Sequence, residues 1–338
     1  MRILVTGAAG FIGFYTVKKY LEEGHEVIGL DNINGYYDTQ LKYDRLMESG
    51  IAKSEILYNK VVESSVNRNY GFIKLNLEDT DAILNLFNLY NFDLVIHLAA
   101  QAGVRYSLEN PSSYIQSNVV GFLNILEGCR HSSVDKLIYA SSSSVYGMSD
   151  KDLLSTKDRV DNPVSLYAAT KKSNELMAHV YSHLYHFKTV GLRFFTVYGP
   201  WGRPDMAPCL FADAIIRKQP IKIFNHGLMK RDFTFIDDII SGIFGVSQAE
   251  IRESYSVFNI GNSKPVELMY FIECMEKSFN TIAIKQMEKM QPGDVKSTWA
   301  DTSELGELTG YRPQINIEEG VKIFADWYKK YYLGTSSS

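Results

Sequence analysis

Over roughly the first 195 residues, short β-branched runs alternate with segments whose apolar residues recur at helical spacing. The runs at 3–6, 26–30, 71–76, 94–98, 136–140 and 189–194 have the length and composition of strands. The segments at 80–90, 112–130 and 166–184 carry the amphipathic period of helices. A strand followed by a helix and then another strand has to cross over, so the alternation predicts βαβ units, a parallel sheet and an α/β fold. Residues 35–70 interrupt it with polar, Tyr-rich sequence, which reads as an insertion after the second strand, able to fold over a ligand. Past Gly199 the regularity breaks. Pro200, Pro204, Pro208, Pro220, Pro265 and Pro292 punctuate shorter elements there and predict a smaller α/β lobe.

The chain has 338 residues, 45% of them hydrophobic and 22% charged, enough apolar material for one large domain or two closely packed ones. A net charge of −4 without a dense Lys/Arg cluster leaves no footprint for nucleic acid or an anionic membrane, so neither is expected as a partner. Cys129, Cys209 and Cys274 are odd in number, far apart and in no CxxC pairing, which reads as reduced core thiols in a cytoplasmic setting. No HExxH, His-rich or paired-Cys spacing occurs, so no metal site is expected. Met1 leads directly into a strand and a Gly-rich turn, which leaves no room for a secretory leader. No apolar run approaches the roughly 18 residues of a membrane span.

The first strand runs into Thr6-Gly7-Ala8-Ala9-Gly10-Phe11-Ile12-Gly13 and then a helix. Glycines there let backbone approach a pyrophosphate, and a helix N-terminus offers it oriented N–H groups. Asp31, at the end of the second apolar run, stands where a carboxylate accepts hydrogen bonds from an adenosine ribose diol and repels a 2′-phosphate, favouring NAD over NADP. Read alone, it is equally a strand-end acid or a helix cap. Tyr167 and Lys171, four apart in a helical segment, share a face, and an ammonium beside a phenol favours the ionised form that acts as a general base. Surface packing is the plainer account of such a pair by itself. The run Ser141-Ser142-Ser143-Ser144-Val145-Tyr146-Gly147 follows a strand, which puts hydroxyls at a carboxyl end, where doubly wound sheets bind ligands. His97 closes an apolar run and reads as a packed core histidine.

Gly7, Gly10 and Gly13, Asp31, His97-Leu98-Ala99-Ala100, Val145-Tyr146-Gly147 and the Tyr167/Lys171 pair resemble the extended short-chain dehydrogenases/reductases acting on nucleotide sugars. Segments 31–38, 101–107, 167–175, 193–206, 231–238 and 290–295 narrow the resemblance to the UDP-glucuronate 4-epimerases, over roughly residues 1–332. The resemblance implies a Rossmann-type doubly wound parallel sheet over 1–198, joined by late segments crossing back from the C-terminal half. A nucleotide-sugar-binding lobe over 199–332 and a disordered tail over 333–338 complete the expected organisation. It further implies NAD as cofactor, a UDP-sugar as substrate, and 4-epimerisation of UDP-glucuronate to UDP-galacturonate through a 4-keto intermediate. A homodimer joined through the helices at 112–130 and 166–184 follows from it too.

Carried over position by position, the resemblance makes Ser142, Tyr167 and Lys171 catalytic. It places Gly7, Gly10, Phe11, Ile12, Gly13, Asp31, Asn32, Asn76, Leu77, Leu98, Ala99, Ala100, Asn118 and Phe194 at the cofactor, beside Tyr167 and Lys171. For the substrate it implies Ser142, Ser143, Ser144, Thr196 and Arg203 at the sugar, and Phe224, Arg231 and Asp294 at the nucleotide, with Arg105 as a further cation. Asn76 departs from relatives that carry Asp there, and Gln291 replaces a second phosphate arginine of hexose epimerases. Relatives that dehydrate have Asp-Glu in place of Ser143-Ser144, and those that decarboxylate have Glu just before Val-Tyr-Gly. Neither carboxylate is present, so the acid for those reactions is missing. The competing readings are 4-epimerisation of another UDP-hexose or UDP-N-acetylhexosamine (uronate), and a non-catalytic NAD(H)-binding protein of the same fold.

Overall fold

A computed structural model describes residues 1–290 and 297–334, and in it all six apolar runs are strands of one sheet. The chain begins with β1 (Arg2–Thr6), α1 (Phe11–Glu22), β2 (Glu26–Asp31) and α2 (Gln40–Glu48). It continues with β3 (Val61–Glu63), β4 (Tyr70–Lys74), α3 (Thr80–Tyr90) and β5 (Leu94–His97). Then come α4 (Tyr106–Glu109), α5 (Pro111–Tyr114), α6 (Gly121–Arg130), β6 (Lys136–Ser142), β7 (Leu153–Leu154), α7 (Leu166–Tyr185) and β8 (Lys188–Phe194). The remainder comprises β9 (Thr196–Tyr198), α8 (Ala207–Ile216), β10 (Pro220–Ile223), β11 (Lys230–Phe235), α9 (Ile236–Gln248), β12 (Tyr255–Ile260) and β13 (Pro265–Glu267). It ends with α10 (Leu268–Phe279), β14 (Ile284–Met287), β15 (Ser297–Ala300), α11 (Ser303–Thr309) and α12 (Ile317–Leu333).

The chain divides into two units. The first comprises Met1–Gly147, Arg159–Phe194 and Ile243–Phe258. Its sheet has the order β12-β8-β6-β5-β1-β2-β4-β3, with β8 through β4 parallel and β3 antiparallel to β4. The central strands are apolar along their whole length because helices cover both faces: Ile3, Leu4 and Val5 are fully buried. From β1 the chain winds outward through β2 to β4, then returns to pair β5 with the other side of β1. That reversal between β1 and β5 opens a crevice at the carboxyl ends of the strands.

The sequence-based boundaries shift at informative places. The helix expected over 112–130 is three pieces, α5, a π-helical turn (Ile115–Val120) and α6. Pro111 starts it one residue early, as a first-turn proline does, and the wide turn surrounds Asn118, which is buried. β6 continues two residues past its expected end because Ser141 and Ser142 stay paired with Arg193 and Phe194 of β8. The 35–70 stretch is not featureless: it contains α2 and the edge strand β3.

The second unit comprises Met148–Asp158, Phe195–Gly242 and Asn259–Ser338. Its main sheet has the order β13-β11-β15-β7, with β9 also parallel to β11, and β10 pairs with β14 separately. Its core is aromatic: Tyr198 meets Phe233, Phe235 and Phe271 edge-on, and Phe233 stacks on Phe271 at 4.3 Å. Among the described residues no helix is long and apolar enough to cross a membrane. Asp232, 1% exposed, ties this unit together by accepting the N–H groups of Asn262 (2.6 Å), Ser263 (3.0 Å) and Ala300 (3.0 Å) and the Thr234 hydroxyl (2.9 Å). Asp232→Asn, which turns an NH2 group towards those donors, is expected to lower the urea-unfolding free energy by about 3 kcal/mol.

Candidate active site

The glycine turn leaves β1 and folds tightly onto its neighbours. Gly7 has φ +74°, and a Cβ on it would lie 2.9 Å from the Ala99 nitrogen. A Cβ on Gly13 would lie 2.0 Å from the Gly7 oxygen, so no side chain fits there. The turn is pinned by Gly7 and Ala8, whose N–H groups both donate to the Leu30 carbonyl at 2.7 and 3.1 Å. α1 then starts at Gly10 with no side-chain cap and no acidic residue in its first turn, which includes Phe11, Ile12 and Gly13. Backbone donors at an uncapped helix start suit an anion. Across the crevice, Thr6 Oγ1 accepts the Ala99 N–H (3.1 Å) and meets His97 Nδ1 (2.9 Å), which fixes the half-buried Leu98, Ala99 and Ala100 beside the turn. His97 is a core residue: burial first, then the charge of Lys171, pushes its pKa down to about 3, so it stays neutral.

Asp31 ends β2 and is buried, accepting the Ile33 N–H at 2.8 Å, while Asn32 accepts the Asn34 N–H at 3.1 Å. Asn76 lies half-buried past the end of β4. The Leu77 side chain belongs to the hydrophobic core, so only its backbone is available to a ligand. Asn118 does not point at open space. Its amide accepts the Gln101 N–H (2.7 Å) and donates to the Gln101 carbonyl (3.0 Å) and to Thr170 Oγ1 (3.1 Å). Asn118 thereby joins the segment after β5 to α7.

Tyr167 and Lys171 stand on the first turns of α7, whose N-terminus is capped by Ser165 accepting the Ala168 N–H at 3.1 Å. Tyr167 is half-buried and meets Tyr114 edge-on at 6.1 Å. Lys171 is wholly buried and donates to the Ala140 carbonyl at 2.8 Å, two residues before Ser142; burial lowers its pKa to about 8. Ser142 closes β6 opposite Phe194, 8% exposed, and its Oγ accepts the Ser144 N–H at 3.2 Å. Ser143 and Ser144 are half-buried in the following turn. One turn further along α7, Glu175 takes a two-point bond from Arg193 (2.8 and 2.9 Å) and the Ser141 hydroxyl at 2.7 Å. Burial favours the neutral Glu175 carboxyl, but Arg193 outweighs it and, with Ser141 and Lys172, holds the pKa below the usual carboxylate range. Arg105 is exposed at the start of α4.

The second unit carries the other expected substrate residues. Thr196 lies on β9, Phe224 in the turn after β10, and Arg231 on β11, where it donates to the Lys230 carbonyl at 2.9 Å. Arg203 forms a two-point pair with Asp205, Nε at 3.0 Å and Nη2 at 2.5 Å. Asp294 lies outside the described residues, as does Gln291.

The family model described as "NAD dependent epimerase/dehydratase family" matches residues 3–261. The chain belongs to that family. Protein CapI of Staphylococcus aureus is 48% identical to this epimerase-family chain over 348 residues, spanning 98% of it and 99% of CapI. The Probable UDP-glucuronate 4-epimerase of Rhizobium meliloti (strain 1021) is 44% identical over 351 residues, spanning 98% of each. The crystal structure of UDP-glucuronic acid 4-epimerase from Bacillus cereus, in complex with UDP-glucuronic acid and NAD, is similar with a TM-score of 0.87 at 34% identity, covering 98% of this chain and 100% of that one. The family member described here is an isomerase-class enzyme whose cofactor is NAD.

Glu175, Arg193, Lys42 and Arg45 were not singled out from the sequence. Glu175 had a visible signal, since Tyr167, Lys171 and Glu175 repeat every four residues along one helix face. The buried Lys171 ammonium has a measurable signature. With a folded pKa of about 8 against 10.5 unfolded, the folded chain holds fewer protons between those values, so this site's contribution to stability rises with pH across that window. Below it the charged lysine costs on the order of 3 kcal/mol. Lys171→Met in NAD-free protein is therefore expected to be more stable than wild type at pH 7, with the gap in urea melts closing towards pH 10.

Proposed function

We propose that this epimerase converts UDP-glucuronate to UDP-galacturonate by oxidising and re-reducing sugar carbon 4. The observation that supports the reading is that Lys171, one turn after Tyr167 on α7, is anchored on the Ala140 carbonyl, two residues before Ser142 at the carboxyl end of β6. The tight glycine turn and the uncapped start of α1 fit a dinucleotide. In this reading Gly7, Gly10, Phe11, Ile12 and Gly13 take its pyrophosphate, Asp31 and Asn32 its adenosine ribose, and Lys171 its nicotinamide ribose.

When bound, NAD would supply the hydride acceptor for carbon 4 and, once reduced, the hydride donor to the other face of the sugar. Tyr167, as phenolate, takes the proton of the 4-hydroxyl as the C–H bond breaks, which leaves a 4-keto sugar. Two features favour negative charge on that oxygen: the Lys171 ammonium and the first turn of α7. Ser142 donates a hydrogen bond to the reacting oxygen and polarises it. After the ketone has turned its other face, Tyr167 gives the proton back, so no net oxidation occurs. A 4-keto uronate is a β-keto acid and loses CO2 when its carboxylate stands perpendicular to the ketone. We assign Ser143, Ser144, Thr196 and Arg203 to holding that carboxylate out of alignment, Arg203 exchanging its two-point pair with Asp205 for two oxygens of the substrate. Arg231 and Phe224 are assigned to the nucleotide, with Arg105 as a further cation for the diphosphate.

The reading includes a homodimer. Leu176, Val180 and Leu184 are 57%, 48% and 55% exposed at four-residue spacing on α7, and Ile115 and Leu123 are exposed on the neighbouring π turn and α6. Such a stripe is suited to pairing with its own copy about a two-fold axis. A cytoplasmic setting is supported by the three cysteines, Cys129, Cys209 and Cys274, which are buried as thiols.

With UDP-glucuronate as substrate, Tyr167→Phe is expected to lose at least about a thousandfold in turnover, while Arg203→Ala releases more UDP-pentose than wild type, both resolved by chromatography of the products. Equal loss of activity on UDP-glucuronate and UDP-glucose in Arg203→Ala would show that the arginine reads no carboxylate. Light scattering should give a dimer for wild type and a smaller species for Leu176→Arg/Val180→Arg.

A further inference from the structure

α2 lies in the polar stretch after β2, yet its inward face carries two cations as well as two leucines: Leu41, Lys42, Arg45 and Leu46 are all buried. Lys42 is 5% exposed and Arg45 0%. Burying an ammonium or a guanidinium costs several kcal/mol unless partners offset it, and a methionine or leucine would fill either place without that cost. The partners show what the charges hold. Arg45 Nη1 donates to the Ala9 carbonyl (2.8 Å), inside the glycine turn, and to the Tyr37 hydroxyl (3.0 Å), which fixes α2 against the start of α1. Lys42 Nζ lies 3.6 Å from Asp31 Oδ1 and donates to Asn34 Oδ1 at 3.0 Å, and its ammonium sits 5.3 Å from the Tyr37 ring centre. Asn34 in turn donates to Gln101 Oε1 at 3.2 Å.

Asp31 sits under two constraints. It is 6% exposed, so its carboxylate depends on the partners that meet it there. Its strand end is also fixed, because the Leu30 carbonyl beside it takes the Gly7 and Ala8 N–H groups. The Ile33 N–H and Lys42 hold the carboxylate in one orientation.

We propose that Lys42 is a positioning residue of the dinucleotide site, delivered by α2 to hold the Asp31 carboxylate aimed at the adenosine ribose. The proposal rests on the reading of Asp31 as the acceptor of the ribose diol. The stretch after β2 thereby acquires a definite role, with its helix shaping the adenosine half of the cofactor site from beneath.

The test uses the full chain stripped of nucleotide and titrated by fluorescence with two ligands, NADH and reduced nicotinamide mononucleotide, which lacks the adenosine half. Lys42→Met is expected to raise the NADH dissociation constant about tenfold or more, the loss of one charge-assisted contact, and to leave the mononucleotide constant within about twofold. Lys42→Gln, which keeps the reach to Asn34 without the charge, should weaken NADH similarly and carries the measurement if the methionine variant does not fold. Lys42→Arg should restore part of the affinity. Asp31→Ala is measured alongside. Should Asp31→Ala leave NADH binding intact, the ribose-acceptor reading itself fails. If Asp31→Ala weakens NADH and neither neutral Lys42 variant does, only the role of Lys42 is overturned. Equal weakening of NADH and the mononucleotide by the Lys42 variants would mark the lysine as general scaffolding and overturn the proposal as well.

Discussion

Lys171 carries its ammonium into a wholly buried position against the Ala140 carbonyl, where burial alone lowers its pKa to about 8. An apolar side chain would pack there without that penalty, so the charge stays because something nearby needs it. Its neighbours are arranged accordingly. His97 is held neutral, so it adds no second positive charge, and Tyr167, the proton carrier of the proposed mechanism, stands one turn earlier on α7. In that mechanism the costly charge and the phenol are set by one helix, so its register against β6 governs both.

Two buried polar groups fix that register. Glu175, bonded at two points by Arg193 of β8 and by Ser141 of β6, ties α7 to both strands just below Ser142. A charge pair so dry contributes little net stability, but it penalises any shift of the helix, because a slipped carboxylate would be left unpaired. Asn118 plays the corresponding part on the other side. The π turn around it leaves helical carbonyls without their usual partners, and Asn174 of α7 donates to the Asn118 carbonyl at 2.6 Å, while the Asn118 side chain grips Gln101. The irregular turn therefore joins the segment that follows β5 to the helix carrying Tyr167 and Lys171.

Much of this was legible from residue pattern. The strands at 3–6 and 94–98 read clearly because strands buried on both faces are continuous apolar runs, and the glycine spacing located the turn between them. The Tyr167/Lys171 pair was visible only as a spacing, and gained meaning from the serine run after β6. α2 was not legible. Its buried face is half cationic, so it does not show the apolar stripe by which helices are recognised, and its partners Asp31 and Ala9 are 11 and 36 positions away from Lys42 and Arg45 respectively. The break in the helix over 112–130 was equally hidden, because the partners of Asn118, namely Gln101, Thr170 and Asn174, lie 17 to 56 positions away. Patterns report burial; they do not report which buried polar groups have found each other.

In the proposed mechanism one hydride leaves carbon 4 of the sugar and comes back to the same carbon while Tyr167 handles only the hydroxyl proton. Its most direct test is to give the enzyme UDP-glucuronate deuterated at carbon 4, in ordinary water, and to read the uronate product by mass spectrometry and NMR. UDP-galacturonate is expected to form with the deuterium still on carbon 4. Product that has exchanged that deuterium for solvent hydrogen would show that the bond is remade by proton transfer and would contradict it.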